Sequence, residues 1–109
     1  MDCKAMAHSM GLEEDEFVEV LTLFVEVSES DLLNIETGLK NEDAKSVSDA
    51  AHSIKGAALN LGLTDISGIA QGLEMRAREA NLQGTFEASN AIRQRLEAIQ
   101  SVTRIRERA

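Results

Sequence analysis

The sequence contains no proline, tryptophan or tyrosine, and only three phenylalanines. A chain without proline has nothing to break a long helix from within, and one so poor in aromatics lacks the residues that favour sheets. Only one cysteine is present, Cys3, close to an end expected to fray. An internal disulfide is therefore excluded, and a reducing, cytoplasmic setting is expected. No apolar run approaches the roughly 18 residues of a membrane span, nor does the opening "MDCKAMAHSMGLEEDEF" hold a signal-peptide core. Positive charge is scarce as well. Eleven Lys and Arg face nineteen Asp and Glu, giving a net charge of -8, which repels phosphate backbones and anionic lipids. No glycine-rich loop of the kinds that cradle nucleotide phosphates occurs, so no ATP site is expected.

What remains is 109 residues, 43% hydrophobic, rich in Ala, Leu, Glu, Val and Ile. This is enough for one compact domain and favours an all-α fold. After Gly11, the acidic run Glu13 to Glu16 complements a helix dipole and opens a long helix. Its apolar stripe is Phe17, Leu21, Phe24, Leu32, Ile35 and Leu39, with Ser28 as the weak point. The break at 41–44 offers Asn41 or Asp43 as the next N-cap. A second helix then buries Val47, Ala51, Ile54, Ala58 and Leu61, ending at Gly62 in a left-handed cap. Thr64 or Asp65 is placed to cap a third, with Ile66, Ile69, Ala70, Leu73, Ala77 and Ala80 inward. Thr85 is placed to cap a fourth, with Ala88, Ile92, Leu96 and Ile99 inward and a fraying tail from residue 103. Short breaks between amphipathic helices predict an antiparallel up-down four-helix bundle over 12–109, with 1–11 as a short lead-in helix or arm.

One histidine does not fit the buried pattern. On a wheel of 100° per residue, His52 lies roughly 140° from the centre of its helix's apolar face. Around it fall Lys45, Ser48, Lys55, Gly56 and Leu59. Gly56 is costly there, since glycine inside a helix is about 1 kcal/mol worse than alanine. One turn beyond His52, its missing side chain clears the approach to the imidazole. Lys55 can bring an ammonium to the same space. An accessible imidazole, a neighbouring cation and an open approach suit a phosphoryl group, with nitrogen attacking phosphorus and lysine balancing the oxygens. A lone exposed histidine is ordinarily just a solvated residue. The combination H-x-x-K-G on a polar face is not.

The stretch "HSIKGAALNLG", His52 to Gly62, resembles the signature H-x-x-K-G-x-x-x-x-x-G of histidine-containing phosphotransfer (HPt) domains, and the helical pattern extends the resemblance over essentially the whole chain. The resemblance implies a phosphorelay intermediate, not an enzyme in the usual sense. His52 would take a phosphoryl group from the aspartate of one response-regulator receiver domain and give it to another, in a relay fed by a hybrid sensor kinase. Lys55 would assist the phosphoryl oxygens, Gly56 keep the site open, and Gly62 end the helix. Any Mg²⁺ would belong to the receiver, leaving this domain, expected to be a monomer, without metal or cofactor.

Members of that family commonly set a polar side chain from the following helix beside the histidine, and Glu74 holds the matching position. The wheel places Glu74 at the rim of its helix, where it either accepts the imidazole Nδ1–H or simply pairs with Arg78 at i+4. Lys45, Ser48 and Leu59 are candidates for touching the partner around His52, and solvated surface residues otherwise. Asp2, Cys3 and His8 lack metal-motif spacing. Met6, Met10 and Met75 read as packing residues. Gly68 and Gly72 fall away from the core stripe, and nothing in the sequence accounts for them. Two other readings stay open: a four-helix adaptor in which His52 is incidental, and a domain phosphorylated directly by a histidine kinase domain.

Overall fold

A computed structural model describes residues 1–108, with side chains placed as far as Ile105. The described residues form five helices: α1 (Cys3–Ser9), α2 (Glu14–Lys40), α3 (Ala44–Asn60), α4 (Thr64–Arg78) and α5 (Thr85–Arg108). At about 1.5 Å per residue, the 27 residues of α2 set the 43 Å long axis of the molecule. Packing runs from α2 to α3, α4, α5 and back to α2, which closes a four-helix bundle, and α1 rests on α2. Short connections make sequential helices antiparallel.

The apolar stripes read from the sequence supply the core. Phe17, Leu21, Leu32 and Ile35 of α2, Val47, Ala51, Ile54 and Ala58 of α3, Ile66, Ala70 and Leu73 of α4, and Ile92 and Leu96 of α5 are all buried. Leu39, Ile69 and Ala88 are half-buried against them. Cys3 does not lie in a frayed end. Asp2 accepts a hydrogen bond from the Ala5 amide, and Cys3 and Ala7 sink into the core from α1.

Between α2 and α3 the chain turns within a few residues. Asp43 is the N-cap of α3, accepting the Ser46 amide at 3.2 Å. The turn brings α3 against Gly38, where a Cβ would stand 2.8 Å from Val47 Cγ2 and 3.1 Å from the Asp43 carbonyl. Further along, the Ser53 hydroxyl donates to Asp31 of α2 at 2.6 Å. That helix ends in a Schellman motif: Gly62 has φ 73°, its amide donates to the Leu59 carbonyl, and the Leu63 amide donates to Ala58.

Several boundaries differ from expectation. The N-cap of α4 is Leu63, not Thr64 or Asp65; the Asp65 carboxylate accepts the adjacent Ile66 amide instead. Ala80 is exposed rather than inward, because α4 stops at Arg78 and Ala80 turns left-handed with φ 56°. Thr85 is fully buried, its hydroxyl donates back to the Leu82 carbonyl, and it is already the first residue of α5 rather than the one ahead of it. Thr103 is buried and α5 continues to Arg108, while the last residue of the tail expected to fray lies outside the described residues. Met10 and Met75 are exposed, leaving Met6 as the one of the three that packs on the core.

Candidate functional site

His52 projects from the middle of α3 with its side chain 63% exposed, on the face opposite Ala51 and Ile54. The α3–α4 interface is the most extensively packed in the bundle, the two helices bury the alanines Ala51, Ala58, Ala70 and Ala77, and short side chains let helices approach closely. Close approach encloses what stands at the rim. Glu74 is for this reason only 2% exposed rather than lying at the surface.

Both alternatives weighed for Glu74 occur together. One oxygen, Oε2, lies 2.7 Å from His52 Nδ1 and accepts a bond from the Arg78 guanidinium at 3.0 Å. The other, Oε1, accepts from Lys55 Nζ at 2.6 Å. The Lys55 ammonium, ahead of the bond to His52 and the charge of Arg78, holds the Glu74 carboxyl below its usual range despite burial, so it is ionised at neutral pH. An ionised carboxylate only accepts hydrogen bonds. Nδ1 must therefore carry a proton, and in the neutral imidazole the lone pair is on Nε2. The buried carboxylate accepts three hydrogen bonds, two of them from cations, which is the condition for keeping it out of water.

Gly56 lies one turn past His52, and a Cβ built on it would meet nothing within 4 Å. Its absence of a side chain therefore answers no packing need inside this chain. Lys55 is 24% exposed and turned toward Glu74. Ser48 is half-buried and lines a shallow hollow with Asp49, His52, Glu74 and Arg78. Lys45 is exposed and pairs with Asp49 at 3.0 Å, an i,i+4 contact of little energetic weight. Leu59 is an exposed apolar side chain on α3.

The structure thus brings His52, Lys55, Glu74 and Ser48 together, keeps Gly56 beside them, and leaves Lys45 and Leu59 on the surrounding surface. Arg78, read from the sequence only as a pairing partner of Glu74, is a full member of the cluster. Its i,i+4 spacing from Glu74 was the available signal. Cys3 and His8 do not converge, one buried and one exposed, and among the described residues no group of His, Cys, Asp and Glu is arranged to hold a metal ion. Gly68 and Gly72 border a groove between α4 and α5 with open space beside each, and nothing in the structure explains them. Among the described residues no helix is long and apolar enough to cross a membrane.

The family model for the Hpt domain matches residues 19–102. The crystal structure of histidine-containing phosphotransfer protein B from Pseudomonas aeruginosa is similar to this one, with a TM-score of 0.83 and 27% sequence identity, covering 100% of this chain and 96% of that one. None of the curated proteins matches.

Proposed function

Because the chain belongs to the Hpt domain family, we propose that it is a cytoplasmic phosphorelay intermediate that carries a phosphoryl group on Nε2 of His52 between the aspartates of receiver domains. The observation that carries this reading is the 2.7 Å contact between His52 Nδ1 and a buried, ionised Glu74, which selects the tautomer of the neutral, exposed imidazole that has its lone pair on Nε2.

In the accepting step, the Nε2 lone pair forms a bond to the phosphorus of an aspartyl phosphate. The acyl phosphate P–O bond breaks, and the aspartate leaves as a carboxylate. Nδ1 keeps its proton, so the product ring is cationic, and the Glu74 carboxylate beside it stabilises that charge. The charged ring is also a good leaving group, so the same contact favours the reverse step toward a second receiver. Lys55 and the open approach over Gly56 serve the incoming phosphoryl group, while Mg²⁺ and its acidic pocket belong to the receiver. Lys45, Ser48 and Leu59 meet the partner around the imidazole.

The test is incubation of the purified protein with phosphorylated receiver domains, followed by intact-mass detection, with His52→Gln as control. An acid-labile phosphoryl adduct absent from the variant is expected. No adduct across a broad receiver panel would overturn the reading in favour of a four-helix adaptor in which His52 is incidental.

A further inference from the structure

A phosphoryl group on His52 brings a charge of about -2 to a spot where Glu74 already stands buried. The cations nearby divide unequally between these two anions. Lys55 is three-quarters enclosed and donates to Glu74 Oε1, so its charge is offset by the carboxylate it touches. Arg78 touches Glu74 Oε2, the oxygen that also holds Nδ1, yet its side chain is 67% exposed. It lines the hollow beside the imidazole, and Lys55 does not. The other charge lining that hollow, Asp49, is paired with Lys45. With Glu74 and Lys55 cancelling, the positive charge left over at the site is that of Arg78.

Resting on the phosphohistidine reading, we propose that Arg78 is a second phosphoryl-binding residue, donating from the unused N–H groups of its guanidinium to the phosphoryl oxygens on His52. A guanidinium suits this role because its fork presents parallel donors to phosphate, and because one N–H on Glu74 still leaves others to give. Glu74 then has two functions: it fixes the tautomer of the histidine, and it anchors Arg78 next to the ring before any phosphoryl group arrives. The short path through a single carboxylate oxygen, 2.7 Å to one side and 3.0 Å to the other, keeps guanidinium and imidazole on the same edge of the site.

Chemical phosphorylation with phosphoramidate tests this without any receiver, so the relay reading and the assignment of Arg78 fail separately. The rate of phosphohistidine formation and its half-life are followed by phosphorus NMR in wild type, Arg78→Ala, Arg78→Lys, Glu74→Gln and the Glu74→Gln/Arg78→Ala pair, with melting temperatures in parallel. Arg78→Ala is expected to slow formation and shorten the lifetime by roughly three- to tenfold, with Arg78→Lys intermediate. Direct binding requires that the loss on removing Arg78 persist in the Glu74→Gln background. Wild-type behaviour of Arg78→Ala would overturn the proposal. So would a loss that disappears once Glu74 is Gln, because Arg78 would then act only by holding Glu74.

Discussion

Replacing Gly56 with alanine separates stability from function. Gly56 sits inside α3 without a positive φ, and a Cβ there meets nothing within 4 Å, so alanine fits with neither strain nor repacking. The helix gains the full propensity difference of about 0.8 to 1 kcal/mol. For a domain of this size that raises the melting temperature by about 4 to 8 °C. On the phosphorelay reading, however, the same methyl group projects into the space through which a receiver's backbone or phosphoryl group reaches His52. Forcing a methyl into a close-packed contact costs about 1 to 3 kcal/mol, which corresponds to transfer slower by roughly five- to a hundredfold. Thermal and urea unfolding read the first effect, and rapid-quench measurement of receiver-to-His52 transfer reads the second. Phosphorylation by phosphoramidate, a donor small enough to approach from another side, serves as control and is expected to change little. A stabilised variant with undiminished transfer from receivers would refute the account of this glycine as a cleared approach. A destabilised variant would refute the open space beside it.

Gly38→Ala is expected to have the opposite sign: its Cβ would press on Val47 Cγ2 and the Asp43 carbonyl, a stiff side chain and a backbone atom. Helix propensity recovers only part of that overpacking, and chemical denaturation is expected to show a net loss of about 1 to 2 kcal/mol. Ser28 Oγ is buried on the α2 stripe without a hydrogen-bond partner. Ser28→Ala removes that cost and is expected to stabilise the bundle by about 1 kcal/mol, read as a higher urea midpoint at unchanged slope. Glu74 titrates lower in the folded protein than the ordinary 4.5. Its stabilising contribution is therefore complete above that value and is lost as pH falls through the lower folded value. Unfolding free energies measured across this acidic window are expected to fall less steeply with decreasing pH in Glu74→Gln than in wild type.

The helices were legible because each repeats its apolar residues at helical spacing, and because the breaks carry their own chemistry in Asp43 and Gly62. The ends of α4 and α5 were less legible. Leu63 caps through backbone geometry that no side chain advertises, and Thr85 is already the first residue of α5. The site divides along similar lines. His52, Lys55 and Gly56 lie within five consecutive residues of one helix, so their relation is set by helical geometry and can be read from spacing alone. Glu74 depends on how closely two helices approach. That distance is set by Ala51, Ala58, Ala70 and Ala77 acting jointly across an interface, which a single helical wheel does not contain. A rim position beside a seam of larger residues would remain solvated, and its glutamate would pair loosely with Arg78. Beside a seam of alanines the same glutamate is enclosed, and enclosure is what obliges it to gather Lys55, His52 and Arg78 around itself. Widening the seam therefore offers a way to loosen the imidazole without touching it. Ala77→Leu, at the level of the cluster, is expected to lower the protection of the His52 Nδ1 proton from exchange while leaving α3 folded, as followed by proton and nitrogen NMR of the ring. An unchanged Nδ1 signal in a folded variant would show that Glu74 holds the histidine independently of how closely the helices pack.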